Sequence, residues 1–360
     1  MTEADSKLLS QYPLIKVEEL AYAHNKPEGQ ASFKTRAEDF IVRETLSFEP
    51  EGEGTHAYLY IEKINTNTEW LARQLARFVG IEAKEIGYAG LKDRNALTYQ
   101  WFSVKLEGIE EPDWDSFQLE GIKIVTKTWH RKKLKRGAIK HNQFEIVLRD
   151  VSNTSLEALN KTVSRIQATG VPNYFAQQRF GHDYNNLTHA AQWFNGTRKM
   201  KKRADKSMLL SAARSMVYNQ MLSERIQQLG WDALIDGEVM MLNGTHSIFS
   251  CPEIDETIKQ RFHQGDIHPT CPLWGRGNLT SQKQLLQMEQ QVAATLTSWC
   301  EGLEQQGLKQ ERRAARLFPE DLLLIVDTQT SVNSLENIKL SFSLPTGSYA
   351  TAVLRELIQF

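Results

Sequence analysis

"GYAGLKDRNALTYQWFSV", Gly87 to Val104, sets three charged residues, Lys92, Asp93 and Arg94, between two runs of strand character. The first run ends at Gly90, which has no Cβ and so permits a tight backbone turn. The second alternates through Tyr99 and Trp101, the period-two pattern of a half-buried strand. Aspartate is common in turns, but this one has a cation on each side and a strand for a footing. Flanking positive charge favours the ionised carboxylate. An ionised carboxylate aimed from a rigid element can act as nucleophile or base. The loop offers no second acid, no histidine and no metal-ligand spacing. At this point a catalytic role and a structural turn both fit.

Outward from the loop, "HAYLYIEK" (His56 to Lys63) alternates like a strand, and "FKTRAEDFIV" (Phe33 to Val42) ends in one. "FEPEGEGTH" between them carries glycine and proline, a loop or hairpin signal. "NTEWLARQLARFVG" predicts an amphipathic helix. Asn67 or Thr68 can cap it, Leu71, Leu75 and Phe78 share a face, and Gly80 closes it. "HNQFEIVLRD" (His141 to Asp150) reads as a strand, and "SLEALNKTVSRIQATG" as a helix ending at Gly170. A long helix is expected over Ser211 to Gly230, irregular chain over Gly237 to Gly277, and helix again over "LTSQKQLLQMEQQVAATLTSWCEGLEQQG". "NIKLSFSLP" alternates strongly, with Ile338, Leu340, Phe342 and Leu344 on one face, and "SYATAVLRELIQF" predicts a short closing helix. Strands thus dominate residues 33–150 and return at 336–344, around a largely helical block. The order predicts a mixed α+β domain interrupted by an inserted one.

The 360 residues are enough for one large core or two domains at about 100–200 residues each. Hydrophobic content is an ordinary 41%, net charge is −1 and the pI is about 6.8, so global charge does not decide the partner. Cys251, Cys271 and Cys300 are too few and too odd in number for a disulfide framework, which points to a reducing cytoplasm. "MTEADSKLLSQYPLIK" lacks the apolar run of a signal peptide, and no stretch approaches the length of a membrane span. His246, Cys251, His263, His268 and Cys271 have irregular spacings with no CxxC pair, so the expected metal content is none. The chain has no GxGxxG at a strand–helix junction, no P-loop and no GxSxG.

Charge distribution says more. Lys123 to Asn142, "KIVTKTWHRKKLKRGAIKHN", has eight Lys or Arg, no acid, and Trp129 and His130 interleaved. "RKMKKR" (Arg198 to Arg203) and "KQERRAAR" (Lys309 to Arg316) are further runs. A single run usually marks a solvated face. Three in a near-neutral chain suggest local positive patches of the kind phosphate backbones demand. Within the first, Arg131, Lys132, Lys133, Lys135 and Arg136 are the expected phosphate-backbone grips, beside a strand. Phe40, Phe144 and Tyr349 fall near strand or loop edges beside polar residues; a base lifted from its stack needs such walls.

"GLKDRNA" followed by "QWFSV" resembles the signature loop of the TruD-type tRNA pseudouridine synthases, which isomerise uridine 13 of the D arm. "FKTRAEDFIVRE", "KLKRGAIKHNQFEIVLR", "VPNYFAQQRFG", "LLSAARSMVYNQMLSER" and "FSLPTGSYATAVLREL" resemble further blocks of that family, in its order and over nearly the whole chain. The resemblance implies that Asp93 is the catalytic aspartate and that Phe40, Asn142 and Tyr349 line the target-uridine pocket. It places Lys34, Glu44, Lys92 and Phe144 around the same site. Ala37, Ala176 and Lys140-His141 depart from the family pattern at positions away from the aspartate.

The resemblance further implies a pseudouridine synthase fold with a mixed, mainly antiparallel sheet. The catalytic domain is expected over residues 1–167 and 317–360, with an inserted, largely helical α/β domain at 168–316. Pseudouridine formation breaks N1–C1′, turns the uracil and joins C5 to C1′. It loses no atoms and needs no cofactor or metal, only an ionised carboxylate beside the sugar and a pocket for a flipped base. The expected partner is tRNA, bound by a monomer with no membrane and no obligate protein partner. Two rival classes fit less of the sequence. A non-catalytic RNA-binding or RNA-folding protein has no use for Asp93. A metal-dependent nuclease gathers several carboxylates around its ions.

Overall fold

A computed structural model describes Leu8, residues 10–326 and residues 337–360. The stretch Met1 to Lys16, read as no signal peptide, lies partly outside that range. The chain forms two compact units: Pro27–Gln167 with Pro319–Ala350 and Leu357–Phe360, and Met1–Lys26 with Ala168–Phe318 and Thr351–Glu356.

Strands β1 (Gln30–Phe33), β2 (Phe40–Leu46) and β3 (His56–Ile64) precede helix α1 (Thr68–Val79). Strands β4 (Ile86–Tyr88), β5 (Leu97–Lys105), β6 (Ile122–His130) and β7 (Ile139–Ser152) lead to α2 (Leu156–Thr169). The other unit then contributes β8 (Val171–Pro172), α3 (Asn185–Phe194), α4 (Arg203–Leu229), β9 (Glu238–Leu242), β10 (Ile248–Cys251), α5 (Glu256–His263) and β11 (Ile267–Leu273). It continues through α6 (Lys283–Thr295), α7 (Thr297–Gln305), β12 (Glu311–Ala314) and β13 (Arg316–Leu317). The chain closes with β14 (Glu320–Val326), β15 (Asn337–Pro345) and α8 (Ala350–Leu357).

The first unit is built on one sheet, ordered β14-β15-β7-β2-β5-β3-β6, with β1 on β7 and β4 on β5. All its pairings are antiparallel except β2 with β5, so the sheet is mixed and the class is α+β. The alternation in β15 buries Ile338, Leu340, Phe342 and Leu344. Phe342 stacks on Phe144 at 5.5 Å between centroids, Phe144 meets Phe40 at 5.9 Å, and Phe40 meets Phe33 edge-on at 5.6 Å. Each such pair adds about 0.5–1.5 kcal/mol beyond area burial, so the ladder stiffens the sheet where β2 and β7 meet. Asn67 caps α1, its Oδ1 accepting from the amides of Glu69 and Trp70. Gly80 ends the helix at φ 79°, a left-handed conformation that glycine adopts without strain. Leu71 and Leu75 pack on Leu59, Ile61, Phe102 and Val104.

In the second unit β10-β9-β11-β12 form a small sheet, and β13 pairs with β8. Gly237 to Gly277, expected to be irregular, instead supplies three strands and a helix. Strand β11 is buried along nearly its whole length, so its sequence carries no alternation to read. Helix α4 begins at Arg203, eight residues before the expected Ser211, and the predicted helix beyond Leu279 is two helices broken at Leu296. The run Lys309 to Arg316 is not a solvated patch. Arg312 is buried on Glu289 and Thr270, Arg316 is buried on the carbonyls of Phe262 and Ile267, and Arg313 donates to Asn173 Oδ1 at 2.6 Å. These cations hold strands together and are not available to phosphate. His268 is likewise committed, through Nε2 to Asn243 and Nδ1 to Arg316, both at 3.1 Å.

Candidate active site

Asp93 lies on the loop between β4 and β5, and that loop is fastened from below. Gln100, fully buried on β5, donates to the Gly90 carbonyl at 2.7 Å. Thr68, the first residue of α1, donates to Gln100 at 2.9 Å and accepts from the Lys92 amide at 3.2 Å. The cap is therefore Asn67 alone, and the Thr68 hydroxyl is turned to the loop instead. A satisfied buried side-chain network of this kind rigidifies the loop it holds.

The cation on Asp93 is not a sequence neighbour. Lys34 Nζ donates to Asp93 Oδ2 at 2.6 Å, with the two side chains 23% and 34% exposed. Lys34 follows β1 at φ 56°, a left-handed conformation that turns its side chain over the sheet. Its ammonium also sits 3.8 Å from the centroid of Phe40, a cation–π seat. Phe40 is buried, so the face expected to meet a base carries Lys34. Phe40 is placed by a clip in the short helical turn before it. Asp39 accepts from the Arg36 amide at 3.0 Å and from Arg149 at 2.6 and 2.9 Å. The Arg149 guanidinium holds the Asp39 carboxyl below its ordinary range, although burial acts against it.

Lys92 points elsewhere. Its ammonium lies 2.8 Å from Glu44 Oε1 and donates to Asn142 Oδ1 at 2.5 Å. Glu44 is fully buried; its Oε2 accepts from the Trp101 amide at 3.1 Å. Burial pushes its carboxyl up, opposed chiefly by Lys92. The sheet register explains the meeting. Glu44 faces Asn142 across β2 and β7, Val42 faces Phe144, and Phe40 faces Ile146. Arg94 is exposed and makes no ion pair among the described residues. The expectation that Lys92 and Arg94 hold Asp93 is thus replaced by one cation from β1 and a second pair that orients Asn142.

Tyr349 is half-buried between β15 and α8, and the turn before it is tied to β7 by Thr346 Oγ1 donating to the Ile139 carbonyl at 2.9 Å. In the basic segment, Arg131 is engaged by Glu51 at 3.4 Å and by Glu53, and Lys133 donates to the Lys84 carbonyl. Lys132, Lys135 and Arg136 make no ion pair among the described residues. Among those residues, no group of three or more His, Cys, Asp or Glu is placed to hold a metal ion, and no helix is long and apolar enough to cross a membrane.

Sequence reasoning missed Thr68 as a loop anchor, Gln100, and Lys63. Lys63 is fully buried, donates to the Thr66 carbonyl at 2.8 Å, and is pushed down to about 8 by burial and by Lys92, against Glu44 and Asp93. A signal existed. Lys63 shares the inward face of β3 with Leu59 and Ile61, and Gln100 shares that of β5 with Phe102. A polar residue on an inward face is the informative kind.

The family model described as tRNA pseudouridine synthase D (TruD) matches residues 16–194 and 184–357. A crystal structure of a TruD from Methanosarcina mazei superposes with a TM-score of 0.75 over 99% of this chain and 98% of that one, at 21% identity. The curated tRNA pseudouridine synthase D of Nitrosococcus oceani is 43% identical over 344 residues, 94% of each chain. That of Colwellia psychrerythraea is 42% identical over 345 residues, 95% of this chain and 93% of its own. The mixed sheet with its helices is the pseudouridine synthase fold. Within that class of isomerases, the chain belongs to the TruD family.

Proposed function

We propose that this chain converts a uridine of tRNA, uridine 13 of the D arm, to pseudouridine, with Asp93 acting on the ribose of a flipped-out nucleotide. The observation that carries this is the Lys34–Asp93 pair at 2.6 Å, one-third exposed, on a loop pinned by Thr68 and Gln100. A carboxylate held by an ammonium and open to solvent can attack C1′ or take a ribose proton. In the first case a C1′–O bond forms as N1–C1′ breaks, and C5 then displaces the carboxylate from C1′; in the second the ribose proton returns to the sugar as C5 bonds to C1′. Either way C5 gives up its proton and N1 gains one. The balance closes without oxidant, reductant or added group.

The partners of Asn142 assign it a polarity. Lys92 can only donate, so Asn142 Oδ1 is committed to it and the amide NH2, which has no partner among the described residues, is left as the donor. A donor there matches the O4 carbonyl of uracil and opposes the N4 amino group of cytosine. Glu44 and Lys92 are thus positioning residues for uracil choice, Phe40 and Phe144 support the Lys34 seat, and Tyr349 is the stacking wall. Residues 1–167 and 317–360 carry the chemistry in this proposal, with 168–316 inserted, and Lys132, Lys135 and Arg136 meet the RNA backbone. The test is to map pseudouridine in cellular tRNA with and without the gene product. Loss at position 13 alone is expected; an unchanged tRNA profile overturns the proposal. A non-catalytic RNA binder would leave that profile unchanged.

A further inference from the structure

Beside the loop that carries Asp93 lies a cleft of about 490 Å³ whose walls are Phe48, Tyr58, His130, Leu134 and Ala138. The volume is that of a small-ligand site. Its aromatic side is ordered: Phe48 and His130 stack at 4.8 Å and 28°, and Tyr58 stands edge-on to His130 at 5.1 Å. Tyr58 also donates to the Lys132 carbonyl at 2.9 Å, which fastens the segment from Lys132 to Lys135 along the opening. His130 Nδ1 is buried and has no hydrogen-bond partner.

Two features connect this cleft to the site. Tyr58, Leu134 and Ile139 share one apolar cluster with Ala89, the residue that begins the Asp93 loop. Gly87 has no room for a side chain, because a Cβ there would lie 2.5 Å from the Leu134 carbonyl. The basic segment is therefore pressed against β4, at the root of that loop.

The charges are sorted. Glu51 lies 3.7 Å from His130 Nδ1, but Glu51 and Glu53 both pair with Arg131. Lys132 and Lys135 are exposed and make no ion pair among the described residues. An aromatic stack with free ammonium groups at its mouth fits a base and its phosphate, and fits an apolar peptide poorly.

We infer that this cleft holds a second, unstacked nucleotide of the same RNA strand, near the one that is isomerised. The base packs against the Phe48–His130 stack, and its phosphates meet Lys132 and Lys135. The inference rests on the reading of the chain as an RNA isomerase and adds a subsite to it.

Full-length chain and tRNA provide the test. Phe48→Leu keeps most of the buried volume and removes the stacking face. It is expected to weaken tRNA binding about tenfold, the scale of one base–aromatic contact, and to raise KM rather than lower kcat. The Lys132→Gln/Lys135→Gln pair alters no core residue. Its salt slope is expected to flatten by about 1.4, at about 0.7 per single-strand phosphate contact. If Phe48→Leu lowers the thermal midpoint, the lysine pair decides. Unchanged affinity in Phe48→Leu with an unchanged slope in the lysine pair overturns the subsite. A wild-type chain that binds tRNA through Phe48 yet forms no pseudouridine would overturn the activity and leave the subsite standing.

Discussion

Replacing Lys92 with methionine isolates the pair that orients Asn142. The change removes the cation paired with the fully buried Glu44, leaving it the Trp101 amide and the attraction of Lys63. An uncompensated buried carboxylate takes up a proton rather than stay charged. Burial already pushes the wild-type carboxyl up, so Lys92→Met removes the chief charge opposing that push. The expected cost at pH 7 is about 3–5 kcal/mol, as is typical for removing one partner of a buried pair. The sign follows from linkage. A carboxyl whose folded pKa is raised loses stability as pH rises, and Lys92→Met raises it further, so the deficit relative to wild type is larger at pH 7 than at pH 5. Glu44→Gln in the Lys92→Met background is expected to restore most of the loss, since an amide needs no counter-charge. Urea unfolding at pH 5 and pH 7 on the four proteins of the cycle measures this. A deficit equal at both pH values, or a coupling below about 0.5 kcal/mol, refutes the assigned Lys92–Glu44 interaction.

Neutralising Lys132, Lys133 and Lys135 together is expected to weaken tRNA binding and flatten its salt dependence by about 1.4, the share of Lys132 and Lys135, since Lys133 is held by the Lys84 carbonyl; Arg131→Gln, already engaged by Glu51 and Glu53, should change the slope little. Burial and Arg316 push His268 down to about 4, from an ordinary 6.5. The unfolded chain then binds a proton between these values that the folded chain refuses, so stability falls as pH drops through that window, by up to about 3 kcal/mol. In His268→Gln the difference from wild type should change over that window, and a constant difference in unfolding free energy would contradict the assignment. Dialysis against a strong chelator is expected to leave pseudouridine formation intact; a loss restored by added metal would revive the cysteine and histidine cluster.

Legibility tracked exposure. Strands such as β15 and β3, each with one face on the core, print their alternation, and helix α1 prints both its stripe and its ends. Strand β11, buried along nearly its whole length, and the cations of Lys309 to Arg316, spent inside the second unit, look respectively like loop and patch. Asp93 was conspicuous because its charge stands in a turn, but its true partner is 59 residues away, and sequence adjacency pointed to the wrong cations. Asn142 was readable as an amide at a strand start. The orientation of that amide was not, because it depends on the register that sets Glu44 opposite it.

Single-turnover conversion of a uridine-labelled tRNA by Asp93→Asn tests the central claim most directly. The amide keeps the size of the side chain and an oxygen for Lys34 but has no anionic oxygen to act on the ribose. Pseudouridine formation is predicted to fall by several orders of magnitude while tRNA affinity stays within a fewfold of wild type. Turnover at the wild-type rate would remove the Asp93 carboxylate from the mechanism.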